Sequence, residues 1–110
     1  MSLQVQTLFS SVTATGPQTG ITLPIASNQF TFSIVVNSGT LGSIEVDLEG
    51  SLDNATWYRI HSAKNAMNIH TSAQMVRDYF QYVRGNITTL TGSSPNISCY
   101  IIPISHAYNV

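Results

Sequence analysis

Hydrophobic and polar residues alternate one by one along much of the chain. From 29 to 37 the apolar residues occupy every even position, and from 44 to 49 Ile, Val and Leu alternate with Glu, Asp and Glu. Successive side chains of an extended strand point to opposite faces, so each run predicts a β-strand with one buried face. Turn residues at 38–43 and Asp53-Asn54 separate these runs from a third strand at 56–60, which predicts a three-strand meander.

Later runs extend the same pattern. Strands are predicted over 79–88 and 96–104, with weaker candidates at 3–9 and 21–26. Short strands at this spacing, with no convincing helical period, are typical of an antiparallel β-sandwich or jelly roll of about seven to eight strands. We therefore expect an all-β protein with a single domain over residues 1–110.

Two segments fall outside the alternation. Residues 1–20 predict an extended N-terminal segment, and 61–77 predict a long loop that carries apolar residues but few charges. Loops of this length in compact domains are usually functional or disordered. We interpret the loop as a docking element or as a cover over one end of the sandwich.

Gly85 lies inside the predicted strand 79–88. A glycine at such a position indicates a bulge or a close backbone contact.

The charge content excludes several classes of partner. Charged residues make up 8% of the chain and the formal net charge is −1. No cationic surface is available for a phosphate backbone, so nucleic acid is not an expected partner. No apolar run reaches the length of a membrane span, and the N-terminus lacks the pattern of a signal peptide. We expect a soluble protein made in a cytoplasm, without a membrane partner.

The residues that could carry chemistry do not combine into a catalytic or metal site. Glu45, Asp47 and Glu49 lie on alternate positions of one strand, about 6.6 Å apart, which gives a ladder and not a cation cage. The three His residues, at 61, 70 and 106, lack metal-ligand spacing, and the single Cys99 is placed as a small buried hydrophobe. We expect no enzyme activity, no metal and no cofactor. Arg59 or Arg84 is expected to pair with the acidic strand.

The aromatic pair Trp57 and Tyr58 leaves two interpretations open. Adjacent strand residues point to opposite faces, so only one of them can face a given ligand. The favoured interpretation places the single Trp57 in or beside the core. The alternative is stacking on the ring of a host glycan, which would make the protein a carbohydrate-binding module.

The segments 49–57 (EGSLDNATW) and 82–88 (YVRGNIT), with the Gly-containing turn before the last strand, carry a resemblance. The chain resembles small β-sandwich structural proteins of tailed bacteriophages, and a similar pattern occurs in discoidin-like sandwiches that bind sugars and lipids. The phage resemblance implies a virion component, foremost a capsid decoration or cement protein that binds and stabilises the assembled shell. A head or tail accessory protein that contacts host glycans is the alternative.

That resemblance also implies partners and a location. The partners would be the major capsid protein or other virion subunits, and the protein would form a homo-oligomer, with a trimer suggested. It would be located in the virion after synthesis in the bacterial host cytoplasm. The N-terminal segment and the loop are the expected contact regions, and their apolar residues are the candidate contacts: Leu3, Val5, Leu8, Met67, Ile69 and Met75.

Overall fold

A computed structural model describes the backbone of residues 5–64 and 69–104, and the side chains of these residues except 32, 69–79 and 104. Within these ranges the chain forms strands and no helix. The strands are β1 (Gln6–Val12), β2 (Gly16–Pro17), β3 (Ile21–Ser51), β4 (Tyr58–Lys64) and β5 (Ile69–Ile104). All of their pairings are antiparallel. The prediction of an all-β antiparallel fold is confirmed.

The two long strands, β3 and β5, form one extended ribbon. Ile34 pairs with Cys99 near one end of it and Leu48 with Gly85 near the other. Between these pairs both strands bend, at Gly39 (φ 82°) and Gly92 (φ 132°). A Cβ atom at Gly39 would lie 2.1 Å from the carbonyl oxygen of Ser94, and one at Gly92 would lie 2.1 Å from that of Thr40. Only glycine fits at these two bends.

The bends carry the chain from one sheet to another. Within the described residues the pairings define eight segments: 6–12, 16–22, 29–38, 40–51, 58–64, 69–75, 80–93 and 96–104. When these segments are numbered 1 to 8 along the chain, one sheet has the segment order 1-8-3-6 and the other has the order 2-7-4-5. The first sheet contains strand β1 and is called the β1 sheet; the second contains strand β4 and is called the β4 sheet. Two four-stranded sheets joined in this way form a jelly roll.

The predicted meander is wrong in its first connection. The runs at 29–37 and 44–49 do not pair with each other, because the turn residues between them form the bend that moves β3 from the β1 sheet to the β4 sheet. The second connection is confirmed, since β4 pairs with 45–50 of β3. At that turn Asp53 Oδ1 accepts the backbone N–H groups of Ala55 (2.9 Å) and Thr56 (2.8 Å), and Asn54 adopts φ 61°.

The core lies between the two sheets. Phe30, Ile34, Val46 and Leu48 are all fully buried, as their alternation predicts. Direct contact between the sheets is seen at Gly85, where an added Cβ would lie 2.7 Å from Cε2 of Phe9 in β1. The close contact predicted at Gly85 is therefore confirmed, and its partner is the opposite sheet.

The segments expected to be irregular contain strands. Residues 58–64 and 69–77 belong to β4 and β5, so the loop prediction for 61–77 is wrong wherever the backbone is described; 65–68 lie outside the described residues. The loop was predicted because helical periodicity fails in this segment, but Ile69, Ala73 and Met75 alternate with polar residues, and β5 pairs with β3 here. In the N-terminal segment, β1 and β2 both pair with β5.

Candidate interaction surfaces

The outer face of the β1 sheet carries an apolar cleft. Its volume is about 440 Å³, and the residues that line it are Val5, Thr31, Ser33, Tyr100, Ile101 and Ile102. Thr31 pairs with Ile102 and Ser33 with Tyr100, so these four side chains share the face opposite to the core. We refer to this set of six residues as the apolar cleft.

Val5 gives the apolar cleft its most exposed apolar side chain. It is 63% exposed and precedes the pair Gln6 and Ile101, which places it beside Ile102. Tyr100 and Ile102 are half-buried. In the last strand Ile97, Cys99 and Ile101 alternate with Ser98, Tyr100 and Ile102, so the sequence itself places apolar residues on both faces. What it did not show is that the N-terminus of β1 lies next to that strand's outer face.

The predicted contact residues divide into three groups. Val5 is exposed and lines the apolar cleft, and its role in a contact stays a prediction. Leu8 is 2% exposed and belongs to the core, so its prediction as a contact is wrong: β1 is a strand of the sandwich and turns this side chain inward. Leu3 and Met67 lie outside the described residues. Ile69 and Met75 are in β5, but their side chains also lie outside the part described.

The outer face of the β4 sheet carries the second surface, which we call the acidic strip: Glu45, Asp47 and Glu49. Glu49 Oε1 pairs with Arg84 Nε at 2.6 Å, which confirms the predicted ion pair, and Glu49 Oε2 accepts Asn86 Nδ2 at 3.2 Å. Glu45 Oε2 accepts Ser62 Oγ at 3.1 Å. The strip does not lie on a sheet edge, because β4 and residues 82–90 flank it on either side.

Asp47 differs from its two neighbours. It is 8% exposed, and its Oδ1 is buried without a hydrogen-bond partner. It pairs through the backbone with Ser62 on one side and Asn86 on the other. Both of those side chains donate to the flanking glutamates instead. A buried carboxylate oxygen without a hydrogen-bond donor is costly.

Trp57 lies at the end of the same face and outside the buried core. The Arg84 guanidinium carbon is 4.5 Å from the centroid of its ring, and the ring edge lies close to Gly20. Of the two positions that the favoured interpretation allowed, the structure excludes the core itself: Trp57 is half-buried, with the Arg84 guanidinium against its ring, and lies beside the sheet. One ring face is taken by Arg84, which limits stacking of a sugar. Tyr58 is 57% exposed.

The remaining candidates for chemistry are placed as follows. Cys99 is fully buried in the core, as predicted, and burial raises the pKa of its thiol far above the ordinary value, which disfavours the nucleophilic thiolate. No three His, Cys, Asp or Glu side chains in the described part of the chain are grouped to hold a metal ion. Nor do the described ranges contain a helix long and apolar enough to cross a membrane.

The fold thus defines an antiparallel jelly roll with an apolar cleft on one sheet and an acidic strip on the other. A solved structure with a similar fold is that of the SPBc2 prophage-derived protein YomS, with a TM-score of 0.58 and 13% sequence identity over 92% of this chain and 93% of that one. At this identity the likeness concerns the fold alone. No protein-family model matches the chain, and no curated protein matches it in sequence.

Proposed function

We propose that this chain is a non-enzymatic structural protein of a bacteriophage virion, and specifically a capsid decoration protein that binds and stabilises the assembled shell. The observation that carries the proposal is the apolar cleft, which places Val5, Tyr100 and Ile102 together on an outer sheet face. Apolar side chains gathered on an outer face lose their contact with water only when another surface covers them.

Two further findings support the assignment to a phage. The jelly roll is shared with a protein whose name marks it as prophage-derived. The formal net charge of −1 gives copies of the chain little mutual repulsion, which suits a protein present in many copies on one particle.

The strength of a single contact would be modest. Covering apolar surface stabilises a complex by about 25 cal/mol per Å², much of which is offset by the cost of association. Many such contacts that exist only on the assembled shell stabilise it by mass action. The proposed partners are therefore the major capsid protein or its neighbours in the virion, with self-association of the chain, in the form of a trimer, adding valency.

The test uses particles of the phage that encodes the chain, produced with its gene deleted and then mixed with purified protein. We expect the wild-type chain to co-sediment with the particles and to raise the temperature at which they release DNA. Val5→Ser and Ile102→Ser should weaken binding about tenfold, because each removes apolar area from the apolar cleft. Ile25→Ser is the matched control, since Ile25 is also 63% exposed but does not line the cleft.

Three results would contradict the proposal. They are failure of the wild-type chain to bind particles, equal loss of binding in Ile25→Ser, and saturable quenching of Trp57 by a glycan in a chain that ignores particles. The last would favour the carbohydrate-binding alternative. Light scattering of the purified protein, whose monomer has a mass of 11.9 kDa, tests the proposed self-association.

A further inference from the structure

The β4 sheet has an open edge along β4. This strand, Tyr58–Lys64, is the last in the order 2-7-4-5, and within the described residues it pairs with β3 alone. Along its other side no strand from that part of the chain is present to take up backbone N–H and C=O groups. A row of such groups is a template on which a partner can add a strand.

Two cations lie on the outer face of this edge strand. Arg59 and Lys64 are the backbone partners of Glu49 and Glu45, which share that face. A bulge between the two pairs makes this possible, because residues an odd number of positions apart otherwise point to opposite faces. Both cations are exposed, and the salt bridge that the described residues contain, between Glu49 and Arg84, uses neither of them.

The charge nearest to an added strand is therefore positive. A strand beside β4 would lie about 4.8 Å from it but about 10 Å from the row of Glu45 and Glu49 on β3. Coulomb attraction falls with distance, and salt screens it beyond about 10 Å, so the two cations outweigh the glutamates there. Both glutamates are also engaged already, Glu45 by Ser62 Oγ at 3.1 Å and Glu49 by Arg84 Nε at 2.6 Å.

The other face of the open edge carries apolar side chains that are only partly covered. Tyr58 is the backbone partner of Gly50, and a Cβ atom at Gly50 would lie 2.7 Å from Ile60 Cδ1, so both side chains are on the core side of β4. Even so, Tyr58 is 57% exposed and Ile60 is half-buried. Apolar side chains of an added strand would remove this surface from water.

We propose that the open edge of β4 pairs with an extended segment of a partner protein in which acidic and apolar residues alternate. The acidic side chains meet Arg59 and Lys64, and the apolar ones cover Tyr58 and Ile60. A bulge and cations protect an edge from indiscriminate pairing, and here the cations select an acidic strand. A second copy of β4 does not fit, because antiparallel pairing would bring the cations of the two copies together.

This contact goes beyond the proposed function, which uses the β1 sheet. The test is an NMR titration of the full chain at about 20 mM salt, where screening is weak. The probe is a capped peptide of about six residues with alternating glutamate and valine, long enough to run along most of β4. We expect the amide shifts to centre on 58–64 and hydrogen exchange in that strand to slow on binding.

Charge variants test the selection of an acidic strand. Arg59→Gln and Lys64→Gln should each weaken peptide binding about two- to fivefold, because each removes one exposed cross-strand ion pair. Arg84→Gln is the matched control. It removes the same charge from the same face, but on a strand that lies two positions from β4 in the sheet, so binding should change less than about twofold.

N-methylated peptides test the strand pairing itself. The N–H groups of successive strand residues point to opposite edges, so methylation of all glutamate nitrogens blocks one edge of the peptide and methylation of all valine nitrogens blocks the other. A peptide that pairs with β4 uses one edge. One methylated form should lose binding, and the other should keep most of it.

Several outcomes would overturn the inference. They are no binding of the alternating peptide in the millimolar range, equal binding when lysine replaces glutamate, and equal binding of a peptide with its glutamates and valines in two blocks. Shifts centred elsewhere, equal weakening in Arg84→Gln, or equal behaviour of the two methylated forms would also contradict it. Because no virion particle is used, each of these results leaves the shell-binding proposal to its own test.

Discussion

The contact between Gly85 and Phe9 offers the sharpest test of how the two sheets pack. Gly85 belongs to the β4 sheet and Phe9 to the β1 sheet. A Cβ atom at Gly85 would lie 2.7 Å from Phe9 Cε2, 2.8 Å from Phe9 Cδ2 and 3.3 Å from Leu8 Cδ2. Gly85→Ala therefore cannot be accommodated unless the Phe9 ring or one of the sheets moves.

The size of the effect follows from the packing. Inserting a methylene-sized group into a packed core costs about 1 to 3 kcal/mol. For 110 residues, an unfolding entropy of about 2.1 cal/mol/K per residue converts a 2 kcal/mol loss into a fall in melting temperature of about 9 °C. Urea denaturation of Gly85→Ala, monitored by circular dichroism, should show this loss with an unchanged m-value.

A double-mutant cycle separates the steric contact from other effects. Leu at position 9 has no Cε2 atom, so Phe9→Leu alone should cost about 1 to 2 kcal/mol but should relieve the clash in Gly85→Ala. We expect a favourable coupling of at least about 1 kcal/mol between the two changes. Gly16→Ala is the control: Gly16 has φ 127° and no atom within 4 Å of an added Cβ, so its cost is backbone strain and should add to that of Phe9→Leu.

Additivity of Gly85→Ala and Phe9→Leu would refute this account of the contact. So would a Gly85→Ala variant as stable as the wild type. Either result would mean that the sheets are not in contact at this point, and the assignment of β1 to the layer opposite Gly85 would fail with it.

Three further predictions concern the other side chains discussed above. Cys99 should resist thiol reagents in the native protein and react only after unfolding in urea, because burial raises its pKa; equal labelling rates in both states would contradict this. Arg84→Met should cost about 1 kcal/mol and change the emission of Trp57, since it removes a partly exposed ion pair and the stacked guanidinium; unchanged emission would argue against the stacking. Hydrogen bonds from the N–H groups of Thr56 and Ala55 lower the pKa of Asp53 below its ordinary value of 3.8, so its stabilising contribution is present above that value and lost as the pH falls through the lower folded value. Asp53→Asn should flatten this acid dependence in urea titrations, and an unchanged acid limb would exclude the carboxylate as its source.

Much of the local structure was predictable because strand periodicity is a local property. The inward positions 44, 46 and 48, the buried thiol of Cys99 and the Asp53-Asn54 turn all follow from the residue and its immediate neighbours. The strand over 69–77 was missed although Ile69, Ala73 and Met75 alternate with polar residues. This alternation is weak because Ala is small and Thr71 is polar, and the pairing with β3 is what identifies the segment as a strand.

Ser98 shows the limit of alternation within a single strand. Alternation places Ser98 on the face opposite Ile97 and Cys99, and yet it is 2% exposed. Its Oγ accepts the backbone N–H of Ser11 at 3.0 Å and the side-chain amide of Asn37 at 2.7 Å, from residues 87 and 61 positions away. Burial of a polar residue at such a site depends on partners that no local pattern reveals.

The candidate surfaces divide in the same way. The amino-acid sequence by itself determined which residues form strands with one apolar face. It also determined that Glu45, Asp47 and Glu49 share one face of a strand, since both features depend only on the order of neighbouring side chains. Tertiary structure alone decided that Val5 stands beside Ile102, that Leu8 is buried, that Arg84 covers Trp57 and that Asp47 is left without a donor. Each of these facts depends on which strands, far apart in the sequence, become neighbours, and that choice follows from packing the whole core at once and not from any short stretch of chain.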